Sequence, residues 1–573
     1  MVRMVLLLST ALFMLLSFLP SKKMAPAADL ILFNGRIYTG NKEAPFAEAM
    51  AIQQNKIIFT GSSAAVLKMK TVATKQIDLK GKLVVPGFND AHIHFLSGSL
   101  AMQTADLNAC KTPEEAVNTV LAFANKHPEA SWVTGSGWQY TAFPGGKPTR
   151  QLLDAVIKDR PVYIRAYDGH SAWVNSKALE LAGITRETAF TGFGSIVKDA
   201  DGEPTGMLSE SAMQLVSKFL PPVTREEKLK AIEEGMRYAA SLGITSVQNA
   251  NGSIEELELY DELLRKGKLT LRYAAAFSTG TKTNDADINT FTALKNKYAG
   301  NILLRADAVK FMLDGVIESH TAVMMEPYSD AGVNGKTANG EFAWPLPLYR
   351  KLTAAFDKAG FRMYTHAIGD RSVHEALNAY ERAQQQNKST GSRHRIEHIE
   401  QCKPADVTRF QQFHVLPSMQ PIHADPATVA VWVQAVGEQR LPFSFGWQSM
   451  LQQKATLVFG SDWPACIDLN PLHGLHIAVN RQTPDGYPAG GWIPQQRISL
   501  QEALDAYTYG GAYSSFEEKI KGKLLPGYLA DFAVLSQNIF ETDPARIAAT
   551  KVLLTVMNGR VVYEAAGGNL NTK

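Results

Sequence analysis

Cysteine is scarce in this chain, with only Cys110, Cys402 and Cys466 among 573 residues. They allow at most one disulfide and match no cysteine-based zinc pattern, which excludes a disulfide-stapled scaffold. An excess of charge is also missing. Basic residues number 58 against 55 acidic ones, and Arg3, Lys22 and Lys23 near the start account for the whole difference. A body of balanced charge carries no electrostatic footprint for nucleic acid, so no nucleic-acid partner is expected. No segment repeats at a fixed short period. Beyond the first 20 residues no stretch approaches about 18 consecutive apolar positions, the minimum for a membrane-spanning helix. What remains is ordinary globular material, 45% hydrophobic, 20% charged and 9% aromatic. That is enough for a large core spread over about two to four domains.

The first 27 residues read as an export signal. Arg3 precedes the uncharged run MVLLLSTALFMLLSFL (4–19), and Ala25-Pro26-Ala27 offers a small-residue cleavage site. No cysteine follows the run, which argues against lipid attachment. The expectation is an exported bacterial protein, periplasmic or secreted, with no stable membrane insertion once the leader is removed. An uncleaved N-terminal anchor is the alternative.

Short β-type segments follow the leader, in ADLILFNGRIYTG (28–40), EAMAIQQNKIIFTGS (48–62) and TKQIDLKGKLVVPG (74–87). They are rich in β-branched residues and closed by Asn-Gly or Gly turns. PGYLADFAVLS (526–536) and KVLLTVMNGRVVYE (551–564) repeat the style, and the two Asn-Gly-Arg sequences read as matching hairpins. Residues 28–87 and 500–573 are therefore expected to form one small composite β-sandwich. Between them, apolar strands alternate with helical stretches, as an α/β architecture requires. Eight candidate strands lie at 83–92, 244–249, 270–278, 307–315, 361–367, 393–399, 415–420 and 456–462. Eight is the count of a (β/α)8 TIM barrel, expected over 88–499. Residues of about 100–225 break the rhythm and read as an insertion after the first strand.

Chemistry gathers at the predicted strand ends. His92 and His94 in DAHIH stand at i and i+2, so a strand projects both side chains the same way. His366, His398 and Asp462 each follow an apolar run, which places them at the C-terminal mouth where barrels hold their sites. Lys310 is a lone cation in an apolar strand, and a buried lysine must be neutralised, paired or modified. Imidazole and carboxylate ligands suit zinc and similar divalent ions. In the insertion, Asp168-Gly169-His170 with Trp173 reads as a lid wall orienting a substrate, or as a turn with a satisfied histidine and a core tryptophan. Asp314 and His320 lie just past Lys310, although Asp314-Gly315 also reads as a turn. Trp138, Gln420 and His423 are further pocket candidates, with loop packing as the alternative. His127, His374, His414, His473 and His476 have no positional argument, and Cys402 and Cys466 read as small core residues.

The run VVPGFNDAHIHF, the strand-end histidines, the late GSDWP and the closing GKLLPGYLADFAVL resemble the amidohydrolase superfamily. Segments 160–179, 242–250, 309–322 and 416–425 are similar to its third family, which includes the N-substituted formamide deformylase-like enzymes. The resemblance implies that His92 and His94 bind one metal ion, with Asp462 contacting it, and that His366 and His398 bind a second. It also implies that Lys310 bridges the two as a carbamate formed with carbon dioxide. One or two divalent ions are expected, zinc first, with manganese or iron as alternatives. They would activate water and polarise a carbonyl, while Asp462 shuttles the proton to the departing nitrogen and His170 donates to the oxyanion. The activity so implied is metal-dependent hydrolysis of an amide- or formamide-type C–N bond in a small organic molecule. A cyclic amide, carbamate or ester on the same centre is the alternative, and an inactive homologue serving as a binding protein is a remote one. Dimers among relatives leave a homodimer open.

Overall fold

A computed structural model describes residues 27–167, 171–191, 194–331, 338–466, 468–567 and 570–572. At its centre eight parallel strands run in chain order: β1 (Phe88–Ile93), β2 (Ile244–Gly252), β3 (Arg272–Ser278), β4 (Leu304–Met312), β5 (Arg362–Ala367), β6 (Arg395–His398), β7 (Leu416–Met419) and β8 (Val458–Phe459). Alternation sorts their side chains. Phe277, Val309, Phe311 and Met363 point outward into the main core under the surrounding helices. Ala276, Ala308 and Tyr364 form a separate buried contact inside the barrel. β8 carries no regular ladder to β1, and loop groups close the seam instead. Asp462 N donates to His92 O at 2.7 Å, His94 N to Trp463 O at 2.9 Å, and Ser461 N to Asp90 Oδ1 at 3.0 Å.

The first predicted strand is two strands. Leu83–Pro86 pairs with Phe532–Leu535 and Arg36–Tyr38 outside the barrel, and only Phe88–Ile93 enters it. Gly87 makes the break because a Cβ there would stand 2.2 Å from Thr245 Oγ1. The outer strands form two sheets. One joins Leu30–Phe33, Ala49–Gln53, Lys56–Gly61 and Lys75–Asp78 with Asn571–Thr572 from the far end. The other joins Arg36–Tyr38, Phe46–Ala47 and Leu83–Pro86 with Phe532–Leu535, Val552–Met557 and Arg560–Glu564. Leu32, Ile37, Met50, Val84, Phe532 and Val556 share the core between them. Asn558-Gly559 is the expected hairpin turn, whereas Asn34-Gly35 is a corner carrying the chain from one sheet to the other. Leu79 packs so tightly there that a Cβ on Gly35 would meet its Cδ1 at 2.2 Å.

Residues 105–210 build a separate six-stranded sheet after β1, with a buried apolar cluster on each face. The helical segment Leu500–Asp505, Ala506–Gly510 and Gly511–Ser514 packs beneath the barrel, where Gly511 O accepts from Gln248 Nε2 at 2.8 Å. Among the described residues no helix is long and apolar enough to cross a membrane. The leader, apart from Ala27, lies outside them.

Candidate active site

The mouth of the barrel gathers His92, His94, Lys310, His366, His398 and Asp462 from the ends of four strands, β1, β4, β5 and β6, and the loop after β8. His92 Nε2 and His94 Nε2 approach Asp462 Oδ1 at 3.4 and 3.1 Å. Lys310 Nζ lies 3.4 Å from His92 Nε2, and His398 Nδ1 lies 4.0 Å from Asp462 Oδ2. The His366 and His398 rings stand 4.5 Å apart, centre to centre. His398 and Asp462 reach these positions through left-handed backbone, at φ of 74° and 61°. That conformation is costly for a residue with a side chain and persists only where surroundings impose it. The Asp462 N to His92 O bond is one such restraint.

The donor set fits a divalent cation. One atom each of His92, His398 and Asp462 lie within 4.8 Å of one another, all on buried residues. Asp462 Oδ1 is buried and has no hydrogen-bond partner of good geometry, although two imidazole nitrogens face it. Lone pairs turned toward one another out of water are unfavourable until a cation sits among them.

Three of the imidazoles have one ring nitrogen engaged by the surrounding protein. His92 Nδ1 meets Glu397 Oε2 at 2.5 Å, which fixes a proton there and leaves Nε2 as the lone-pair atom. Glu397 Oε1 accepts from Arg395 Nε at 2.7 Å, and Arg395 also donates to Gln248 Oε1 and Ala91 O and lies 3.5 Å over the Tyr364 ring. Burial alone would raise Glu397, but Arg395 and His92 overrule it and hold the carboxyl at about 2. His398 Nδ1 contacts Gln420 Oε1 at 2.9 Å, and His366 Nε2 contacts Gly315 O at 3.0 Å. Burial, reinforced by Lys310, drives His366 down to about 3, and burial with the His366 neighbour drives His398 well below the usual imidazole range. Both imidazoles are therefore neutral, as ligands must be. Burial brings Lys310 down to about 8 against the opposing pull of Glu397 and Asp462.

Asp462 faces a second chain of contacts. Its Oδ2 lies 3.3 Å from His423 Nε2, His423 Nδ1 lies 3.1 Å from Glu400 Oε1, and Glu400 Oε2 accepts from Trp432 Nε1 at 2.6 Å. Burial disfavours charge on His423, but Cys466, Asp462 and Glu400 more than reverse it and raise the imidazole well above its usual range. Asp462 itself is held well below the ordinary carboxylate range, because His92, His423 and His94 outweigh the effect of burial.

Several predicted pocket residues prove structural. Trp138 and Trp173 are fully buried in the inserted sheet, donating to Ile164 O and Thr149 O, because large aromatics fill its core. Asp314 is buried and accepts from the backbone of Val323, Ile368 and Gly369, tying the loop after β4 to the end of β5; burial raises it to about 7. It anchors the turn, and its Oδ1 lies 3.6 Å from His366 Nε2. His320 is buried against Asp330 and Tyr328, and Gln420 is buried behind His398. Of the pocket candidates, His423 alone among the described residues contacts Asp462. Asp168 and His170 lie outside the described residues. Sequence reasoning missed Arg395, Glu397, Glu400 and Trp432. A usable signal was present in RIEHIE, where three charged residues interrupt an otherwise buried strand and its end.

An eight-stranded parallel barrel with imidazole and carboxylate donors at its C-terminal mouth defines the barrel-type metal-dependent hydrolases. The family model for the amidohydrolase family matches residues 75–563. The chain belongs to that family and is a hydrolase of the metal-dependent amidohydrolase superfamily. It is 33% identical over 549 residues to the protein LONG AFTER FAR-RED 3 of Arabidopsis thaliana, covering 94% of this chain and 92% of that one. It is 26% identical over 561 residues to the N-substituted formamide deformylase of Arthrobacter pascens, covering 95% and 100%. A solved structure described as an uncharacterized metal-dependent hydrolase from Pyrococcus horikoshii OT3 superposes with a TM-score of 0.71 at 26% identity, covering 90% of this chain and 99% of that one.

Proposed function

We propose that the protein hydrolyses an amide-type C–N bond, of formamide or N-acyl amine character, in a small organic substrate. The observation that carries this reading is the placement of Asp462, with one carboxylate oxygen toward the imidazole donors and the other toward His423. An amine departs poorly unless it is protonated, so C–N cleavage needs a group that takes a proton near the carbonyl and returns it to nitrogen. Asp462 takes that proton, and His423 Nε2, held by Glu400, steadies the charge at the opposite oxygen. The similarity to a formamide deformylase over nearly the whole chain supports the same bond class.

His92, His94, His398 and Asp462 would hold one divalent ion, for which zinc suits the set, and His366 with Lys310 would extend the site toward a second. A divalent ion bound there supplies a Lewis acid that acidifies water and polarises a carbonyl oxygen. Lys310 would join the ligand set as a carbamate, formed when its neutral amine adds to carbon dioxide and releases a proton. Its lowered pKa makes the free amine accessible near neutral pH. An export-type leader in residues 1–27 supports an activity outside the cytoplasm.

The test is a panel of N-formyl amines, N-acyl amines, carbamates and esters offered to the zinc-loaded protein, with product amine quantified. Release of amine from the first two groups above the ester rate supports the reading. Turnover of esters or carbamates alone overturns it.

A further inference from the structure

The imidazole and carboxylate donors come from β1, β5, β6 and the loop after β8, and β4, next to β5, brings Lys310 and then an apolar residue to the mouth. Lys310 points into the barrel, with Nζ 3.4 Å from His92 Nε2. Phe311 points out, into contact with Trp344, Tyr349 and Phe356. Two-residue periodicity then turns Met312 to the same side as Lys310, one step nearer the opening. Met312 is paired in register with His366 on β5. Its side chain is not absorbed by packing, and the residue is 39% exposed. Four residues on, Val316 is 41% exposed, and the turn that presents it is pinned beside the same histidine by the 3.0 Å contact of Gly315 O with His366 Nε2. Thr321 holds that turn from both sides, its hydroxyl accepting from Val316 N at 2.9 Å and its amide donating to Val316 O at 3.0 Å.

Two uncovered apolar side chains thus flank a buried imidazole donor, while the opposite wall carries Asp462, His423 and Glu400. We propose that Met312 and Val316 form an apolar subsite for the non-reacting hydrocarbon group of the substrate. The site would then take amides bearing an alkyl or aryl group in preference to ones bearing a charged group there. Covering exposed methyl and thioether surface with hydrocarbon is favourable in proportion to the area removed from water, whereas a charged group would lose hydration against it. The inference rests on the metal-site reading above but is independent of which bond is cleaved.

Alkyl hydroxamates of rising chain length test it, since their head group needs only the bound ion. Affinity of the zinc-loaded protein for aceto-, butano- and hexanohydroxamate is measured by calorimetry. In the wild type each added methylene is expected to tighten binding about two- to fourfold. In the Met312→Ser/Val316→Ser double variant the gain falls to near onefold, and Met312→Leu keeps the wild-type slope. A flat wild-type series, or an unchanged slope in the serine variant, overturns the subsite. If no amide is hydrolysed but the slope and its loss are seen, the subsite stands and the bond assignment fails. If no hydroxamate binds at all, the subsite and the metal-site reading fall together.

Discussion

Replacing Glu397 by glutamine changes one atom at a position that touches no substrate, yet it is expected to weaken the metal site. In the native chain the Glu397 carboxylate lies between two donors, His92 Nδ1 at 2.5 Å from Oε2 and Arg395 Nε at 2.7 Å from Oε1. A carboxylate accepts on both faces, but a carboxamide accepts on one and donates on the other. If the amide oxygen stays with Arg395, the NH2 group faces His92 and selects the tautomer with its proton on Nε2, the atom that faces Asp462. If it turns around, NH2 meets the Arg395 guanidinium, which sets donor against donor on top of the counter-charge that the buried cation loses in either orientation. The first outcome is expected to cost about 10- to 100-fold in metal affinity. The second is expected to cost about 3–5 kcal/mol of folding stability. Zinc affinity by chelator competition and urea unfolding of the metal-free protein read the two separately. A Glu397→Gln protein that binds zinc within about threefold of wild type and unfolds at the same urea concentration would refute the reasoning.

Lys310→Ala is expected to reduce bound zinc from about two equivalents to one or fewer, by elemental analysis, and an unchanged content would rule out a bridging lysine. His423→Asn should lower kcat about 100-fold while metal content stays constant, and loss of metal with an unchanged rate per bound ion would contradict a proton-handling role. Glu256 offers a pH test away from the metal donors. Burial raises its carboxyl to about 7 from 4.5, beside Tyr273 OH at 2.8 Å. The folded state therefore holds this proton more tightly, and the group's contribution is full below about pH 4.5 and is lost as pH rises through about 7. Glu256→Gln should gain on wild type by about 3 kcal/mol in unfolding free energy between pH 4.5 and pH 8.5, and parallel stability–pH curves would refute this.

The architecture was legible because its signals are local. Strand-like runs alternating with helical stretches marked all eight barrel strands, and Asn-Gly turns with β-branched runs marked the outer sheets at both chain ends. Two local signals misled. LVVPG and FNDAH are continuous in pattern but separate at Gly87, where the approach of Thr245 leaves no room for a side chain. Asn34-Gly35 has hairpin chemistry, yet its flanking strands pair with different partners. At the site, His92 and His94 were readable because i and i+2 on one strand is a short-range relation. The tryptophans were not, since a large aromatic after a strand looks the same whether it lines a pocket or fills a core.

By itself the sequence determined the strand–helix alternation, the placement of nitrogen and carboxylate donors at strand ends, and the near-neutral charge balance of the body. Each of these depends on residue type and short spacing. Only the tertiary structure decided which groups orient those donors. His92 and Glu397 stand 305 positions apart, and His394 to Asp357, or Arg272 to Asp531, are equally invisible to local pattern. The physical reason is that a buried polar atom must find a partner wherever the fold brings one. Barrel closure turns side chains of β1 and β6 toward each other across the interior and sets β1 beside the loop after β8, without any mark of that meeting in the residues between.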